Sequence, residues 1–150
     1  MGLSADEVPL KLDQDDIKVI EGLGKQLRSR TACKILLLTL GSQGSIIISD
    51  KECFYTPAVK VEALDGVGAG DAFCAAILHK LIQVLPLKGK NGAGAHGLGS
   101  ELGNDLADAI DWHEAARFAN VVGALATRTV SASQGLPTIA EVESFYSRHY

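Results

Sequence analysis

Between Asp65 and Phe73 the chain reads Asp-Gly-Val-Gly-Ala-Gly-Asp-Ala-Phe, and no other stretch narrows the possible structures so far. Glycine lacks a Cβ, so the backbone here can take positive φ and lie close to a ligand. Directly afterwards Phe73, Ile77, Leu78, Leu81, Ile82 and Leu85 recur at the helical period, which predicts a helix from Ala69 to about Leu85. A helix start carries free N–H groups and about half a positive charge, a setting suited to phosphate. Asp71 then stands out as a carboxylate in the first turn of an anion-binding helix. It reads either as an acid complementing the macrodipole or as a general base. In the second reading neighbouring N–H groups would hold a transferring phosphoryl group.

The rest of the pattern alternates helix and strand. Asp13 to Arg28 predicts a helix with Ile17, Ile20, Leu23 and Leu27 on one face, an acidic first turn, and Gly22 and Gly24 as weak points. Gly22-Leu23-Gly24-Lys25 lacks the spacing of a P-loop and lies inside that helix. Lys34 to Leu40 is apolar without alternation, as in a central strand of a parallel sheet covered on both faces. Ser45–Ser49 and Glu52–Thr56 read as an antiparallel hairpin, and Ala58–Leu64 as a further short strand. The stretch 86–103 is glycine-rich and reads as a flexible loop. A short helix is expected over Asp105–Asp111, and a longer one over His113–Thr129 with Ala116, Ala119, Val121, Val122, Leu125 and Ala126 inward. A last helix starts at Thr138, where Thr138 and Glu141 have capping-box spacing and Ile139, Val142 and Phe145 form the buried stripe. This order is that of an α/β fold with a mixed sheet. The apolar run Lys34–Leu40 offers an edge for which the chain has few partners, as in part of a larger sheet.

Composition bounds the function. With 150 residues, 47% hydrophobic and 21% charged, the chain suits one soluble domain. A net charge of −4 without a basic block argues against nucleic acid and anionic membranes as partners. Cys33, Cys53 and Cys74 show no Cys-x-x-Cys, and His79, His96, His113 and His149 show no metal-ligand spacing. No stretch is long enough to span a membrane and no signal peptide follows Met1, so a cytoplasmic location is expected.

Thr39-Leu-Gly-Ser-Gln-Gly44, the 65–73 segment, Arg117-Phe-Ala-Asn120 and Leu136-Pro-Thr138, in this order and spacing, resemble the ribokinase-like (PfkB) family of carbohydrate and nucleoside kinases. The resemblance runs from about residue 30 to the C-terminus. It implies the C-terminal portion of a three-layer ribokinase-like fold and transfer of the ATP γ-phosphoryl group to a sugar or nucleoside hydroxyl. Asp71 matches the general base, and Gly68, Ala69 and Gly70 match the backbone anion hole. Thr39, Gly41, Ser42 and Gly44 match the turn along the nucleotide; as residues alone, the glycines suit a strand-to-strand turn. Asn120 matches a residue beside the adenine, although an Asn in a small-residue helix also suits a core hydrogen bond. Asp65 and the Val67 carbonyl match a monovalent-cation site, K⁺ in type, and Asp65 alone reads equally as a turn cap. ATP and Mg²⁺ are the implied cofactors.

The sequence departs from the family pattern in three places. Gly66 stands where a threonine is usual, and 129–133 lacks a common glycine. The N-terminal half that carries acceptor binding is not represented, Glu7 being at most a remnant of the upstream Mg²⁺-placing motif. The expectation is a kinase portion that alone phosphorylates sugar poorly or not at all. From a different class comes a non-catalytic nucleotide-binding remnant, or a subunit that pairs its sheet edge with a partner or a second copy. A Rossmann dehydrogenase is disfavoured because the glycines miss the Gly-x-Gly-x-x-Gly fingerprint.

Overall fold

A computed structural model describes residues 13–31, 33–84, 108–131 and 134–150. Its sheet has three strands in the order β1 (Leu36–Thr39), β2 (Gly44–Ile48), β3 (Cys53–Pro57), and both pairings are antiparallel. β2 is buried at every position. Side chains alternate across a strand, so Ile46 and Ile48 face one side of the sheet and Ile47 the other. On the first side lies α1 (Gln14–Thr31), and on the second α2 (Ala69–Val84) and α3 (Trp112–Ala126). Ile47, Phe73, Ala76, Ile77, Ala115, Ala116, Ala119 and Val121 share the main core on that second side. α4 (Ile139–His149) packs on α3 through Val142. No helix among the described residues is long and apolar enough to cross a membrane.

The expected central parallel strand Lys34–Leu40 is corrected. The strand there is shorter, antiparallel and half-buried, and it lies at the edge of the described sheet. The cause is local: a 3₁₀ turn over Gly41–Gln43, with Gly41 at φ 57° and Gly44 at φ 113°, reverses the chain at once. β1 must then run against β2, and β2 inherits the central place. Among the described residues the sheet is therefore antiparallel rather than mixed. Ala58–Leu64 joins no strand ladder either; instead the Leu64 and Asp65 N–H groups both donate to the Thr127 carbonyl, at 2.8 and 3.0 Å.

The helices follow their local codes more closely. Asp13 Oδ1 accepts from Asp15 and Asp16 N–H at 2.8 Å and opens α1. Gly24, read as a weak point of that helix, is its one buried residue: a Cβ there would run into Ile48 Cδ1. Val19, Leu23 and Leu27 are exposed instead. In α2 Phe73 and Ile77 are buried while Leu78 and Ile82 are exposed. α3 starts one residue earlier than expected because Asp111 Oδ1 caps Glu114 N–H at 3.0 Å, and it ends at Ala126. The Thr138–Glu141 capping box forms, but Ile139 is exposed. Asp108 and Ala109 are helical; residues 105–107, the glycine-rich loop 86–103 and Glu7 lie outside the described residues.

Candidate active site

The glycine turn is built from the aspartate inward. Asp65 Oδ1 accepts from the Val67 N–H at 3.0 Å, the turn-cap geometry. Gly68 follows at φ 84°, a conformation that only glycine takes without strain, and α2 begins at the next residue. The Ala69 N–H reaches Gly66 O at 3.3 Å, and the first α-helical bond runs from Ala72 N–H to Gly68 O at 2.9 Å. Gly70 and Asp71 are left with N–H groups that have no acceptor among the described backbone bonds. Asp71 is exposed. A Cβ on Gly70 would meet nothing within 4 Å, and its φ is not positive, so the fold does not itself demand glycine there. The open space suits close approach of a ligand to the free N–H groups.

At the hairpin turn, Thr39 ends β1 opposite Ser45, and Gly41 and Ser42 are exposed. Gly44 is different. It is buried, and a Cβ would collide with the Thr56 carbonyl and crowd Ala58 N at 2.6 Å. Its glycine is thus accounted for by the strand-to-strand turn. Tyr55 donates its hydroxyl to Gln43 O, and Ala58 N–H donates to the same oxygen at 3.3 Å, which pins the turn to β3.

One helix holds both turns. Asn120 is buried and its Nδ2 donates to Thr56 O at 3.1 Å and Pro57 O at 3.3 Å, at the sheet end that carries the hairpin turn. One turn on, Gly123 lets α3 approach Ala69 O, 3.2 Å from where its Cβ would stand. A further turn brings the Thr127 carbonyl against Leu64 and Asp65. Positions 120, 123 and 127 share one helix face and span about 10 Å of axis. The hairpin turn and the glycine turn therefore lie at the same end of the molecule, along one edge of α3. Gly123, Thr127 and Tyr55 were missed in the sequence; the three-then-four spacing of Asn120, Gly123 and Thr127 is the signal that could have found two of them. Asn120, by contrast, acts here as the core hydrogen bonder.

The arrangement is open. Two clefts among the described residues lie elsewhere: one of about 320 Å³ beside Ile35, Lys51 and Trp112, and one of about 160 Å³ between Lys80, Phe118 and Tyr146. No group of three His, Cys, Asp or Glu side chains meets among the described residues in a way that could hold a metal ion. What the site offers is free backbone N–H groups, a helix start and one exposed carboxylate.

Residues 5–139 match the sequence pattern of the pfkB family carbohydrate kinases. The chain belongs to this family. It is 33% identical over 113 residues to fructokinase-1 of rice, Oryza sativa subsp. japonica, which covers 75% of this chain and 29% of the relative. This pfkB-family chain thus spans less than a third of that enzyme's length. The ribokinase of Giardia lamblia superposes with a TM-score of 0.66 at 26% identity, over 97% of this chain and 40% of its own. A double-mutant fructokinase from Vibrio cholerae O395, solved with fructose, ADP and a potassium ion, superposes with a TM-score of 0.59 at 22% identity, over 89% of this chain and 38% of its own. The fold is that of the ribokinase-like kinases, and these neighbours share it over the portion described.

Proposed function

We propose that this chain is the nucleotide-binding portion of an ATP-dependent kinase acting on a sugar or nucleoside hydroxyl. The observation that carries the reading is the exposed Asp71 carboxylate in the same helical turn as free N–H groups, with open space over Gly70. In this reading Asp71 takes the proton of the acceptor hydroxyl, and the amides of the 68–70 turn, with that of Asp71, oppose charge on the phosphoryl group. Thr39, Gly41 and Ser42 lie along the nucleotide, Gly44 sets their turn, and Asn120 supports the strand beside them. Mg²⁺, carried on the nucleotide's phosphates, would supply further charge neutralisation. Asp65 and the Val67 carbonyl are the candidates for a potassium ion, with the Asp65 turn cap holding the loop in shape. The three cysteines are free, which suits the cytoplasm.

Positioning supplies most of the rate in phosphoryl transfer, so a base without an acceptor pocket turns over little. We expect the 150-residue chain alone to phosphorylate sugar poorly or not at all. The test is calorimetric titration with ATP and Mg²⁺ of the wild type, Gly70→Val and Asp71→Ala. Binding by wild type and Asp71→Ala, lost in Gly70→Val, supports the anion hole and leaves Asp71 for chemistry. No binding by the folded wild type overturns the nucleotide-binding role of this chain. A second reading, a subunit that completes its sheet with a partner, is favoured by the outer edge of β1, which is unpaired among the described residues.

A further inference from the structure

Ser45 lies on β2 next to the hairpin turn. It is 0% exposed, yet its Oγ has no hydrogen-bond partner among the described residues. A hydroxyl taken out of water without a partner is costly, and alanine would fit the same backbone without that cost. The three residues that follow, Ile46, Ile47 and Ile48, are apolar and equally buried. The Ser45 hydroxyl therefore adds nothing to the described fold, and its presence calls for another reason.

The sheet register shows which group lies beside it. Thr39 of β1 and Thr56 of β3 are its cross-strand neighbours, so the three side chains form one row on the face that α2 and α3 cover. Leu37 and Ile47, two residues along their strands, mark that face by packing in the main core. The two neighbours are not equivalent. Leu40 N–H donates to Gly44 O at 2.8 Å, so the next pair, Thr39 and Ser45, is of the close, non-hydrogen-bonded kind. In such pairs the Cα atoms stand about 4.5 Å apart and the side chains approach. Ser49 N–H donates to Glu52 O at 2.8 Å, and alternation from there makes Ser45 and Thr56 a hydrogen-bonded pair. That kind is wider, at about 5.5 Å. Ser45 thus leans on Thr39, which is exposed at the end of β1.

We propose that Ser45 is a positioning residue of the nucleotide site: its hydroxyl donates to Thr39 Oγ1, and Thr39 donates its own proton to an oxygen of the bound nucleotide. The inference rests on the nucleotide-binding reading of this chain, which places Thr39 along the nucleotide. A hydroxyl both donates and accepts, so the two bonds run in one direction and polarise each other. Without nucleotide, water competes for the exposed Thr39 hydroxyl and Ser45 Oγ stays unpaired. A nucleotide oxygen fixes the direction in which Thr39 donates and turns its lone pairs toward Ser45. Thr56 stands at the wider spacing, and its carbonyl already accepts from Asn120 at 3.1 Å. The buried hydroxyl is then a group held in reserve behind the nucleotide turn.

The test is a double-mutant cycle of Ser45→Ala and Thr39→Val, read by calorimetric titration with ATP and Mg²⁺ and by urea unfolding without nucleotide. Ser45→Ala should be as stable as the wild type or more so, since no bond is lost, yet bind ATP about fivefold more weakly, the worth of one hydrogen bond. Thr39→Val should weaken binding by at least as much. The double variant should bind no more weakly than Thr39→Val alone, because Ser45 acts only through Thr39. A structural role for Ser45 would lower stability and affinity together and give additive effects. Wild-type affinity in Ser45→Ala overturns the proposal and leaves the nucleotide reading intact. Additive losses in the double variant, or a Ser45→Ala protein clearly less stable than the wild type, also overturn it. A folded wild type that binds no ATP removes the nucleotide reading, and this inference with it.

Discussion

The side-chain amide of Asn120 donates to the carbonyl oxygen of Thr56 at 3.1 Å, and so ties the last turn of β3 to the middle of α3. The same nitrogen reaches Pro57 O at 3.3 Å. Pro57 ends the strand, and the polar side chain gives its carbonyl a partner where the sheet stops. Through this contact the hairpin turn is held at a fixed distance from the glycine turn on the same helix.

Asn120→Ala should therefore destabilise the protein by about 1–3 kcal/mol, about 0.5–1.5 kcal/mol for each of the two hydrogen bonds lost. Urea unfolding measures it. A change below about 0.5 kcal/mol would mean that water takes over both bonds.

Two glycines should respond in opposite ways to alanine. Gly44 is held at φ 113° against the Thr56 carbonyl, so Gly44→Ala should cost about 2 kcal/mol or more in strain and collision. Gly70 is in open space without positive φ, so Gly70→Ala should leave stability unchanged or raise it by up to about 1 kcal/mol. Comparing the two unfolding midpoints separates a glycine kept for the fold from one that the fold does not need. Loss of stability in Gly70→Ala would remove the argument for ligand approach at that position.

Thiol reactivity should sort the three cysteines. Burial pushes the Cys53 thiol up to about 11, while Cys74 is exposed on α2. Only the thiolate reacts, so Cys74 should be alkylated well before Cys53 at pH 8.5, with Cys53 accelerating as pH approaches 11. Peptide mapping after timed alkylation reads this directly. The sign for stability follows: the unfolded chain releases the Cys53 proton first, near pH 9. Its contribution is whole below that pH and declines between about 9 and 11. Equal rates for Cys53 and Cys74 at pH 8.5 would contradict the packing of β3 under α1.

What the sequence determined by itself was everything encoded within a turn or two of chain. The glycines at 66, 68 and 70 before an apolar helical run announced the turn that opens α2. Thr138 and Glu141 announced the capping box, and Gly41 and Gly44 the reversal between β1 and β2. The motif order also announced the family, because those spacings preserve backbone geometry. Tertiary structure decided the rest. Lys34–Leu40 is more apolar than Ser45–Ser49, yet β2 takes the centre, since burial depends on which elements cover a strand rather than on its own residues. Gly24 looked like a flaw in a helix and proved to be its point of contact with Ile48, because removing a side chain is what lets α1 come close. Asn120 stands in a family motif and is spent on the backbone of β3, a role visible only once α3 and the sheet end are brought together. Hydrogen bonds and close packing between distant segments have no local signature, and that is why only the folded chain shows them.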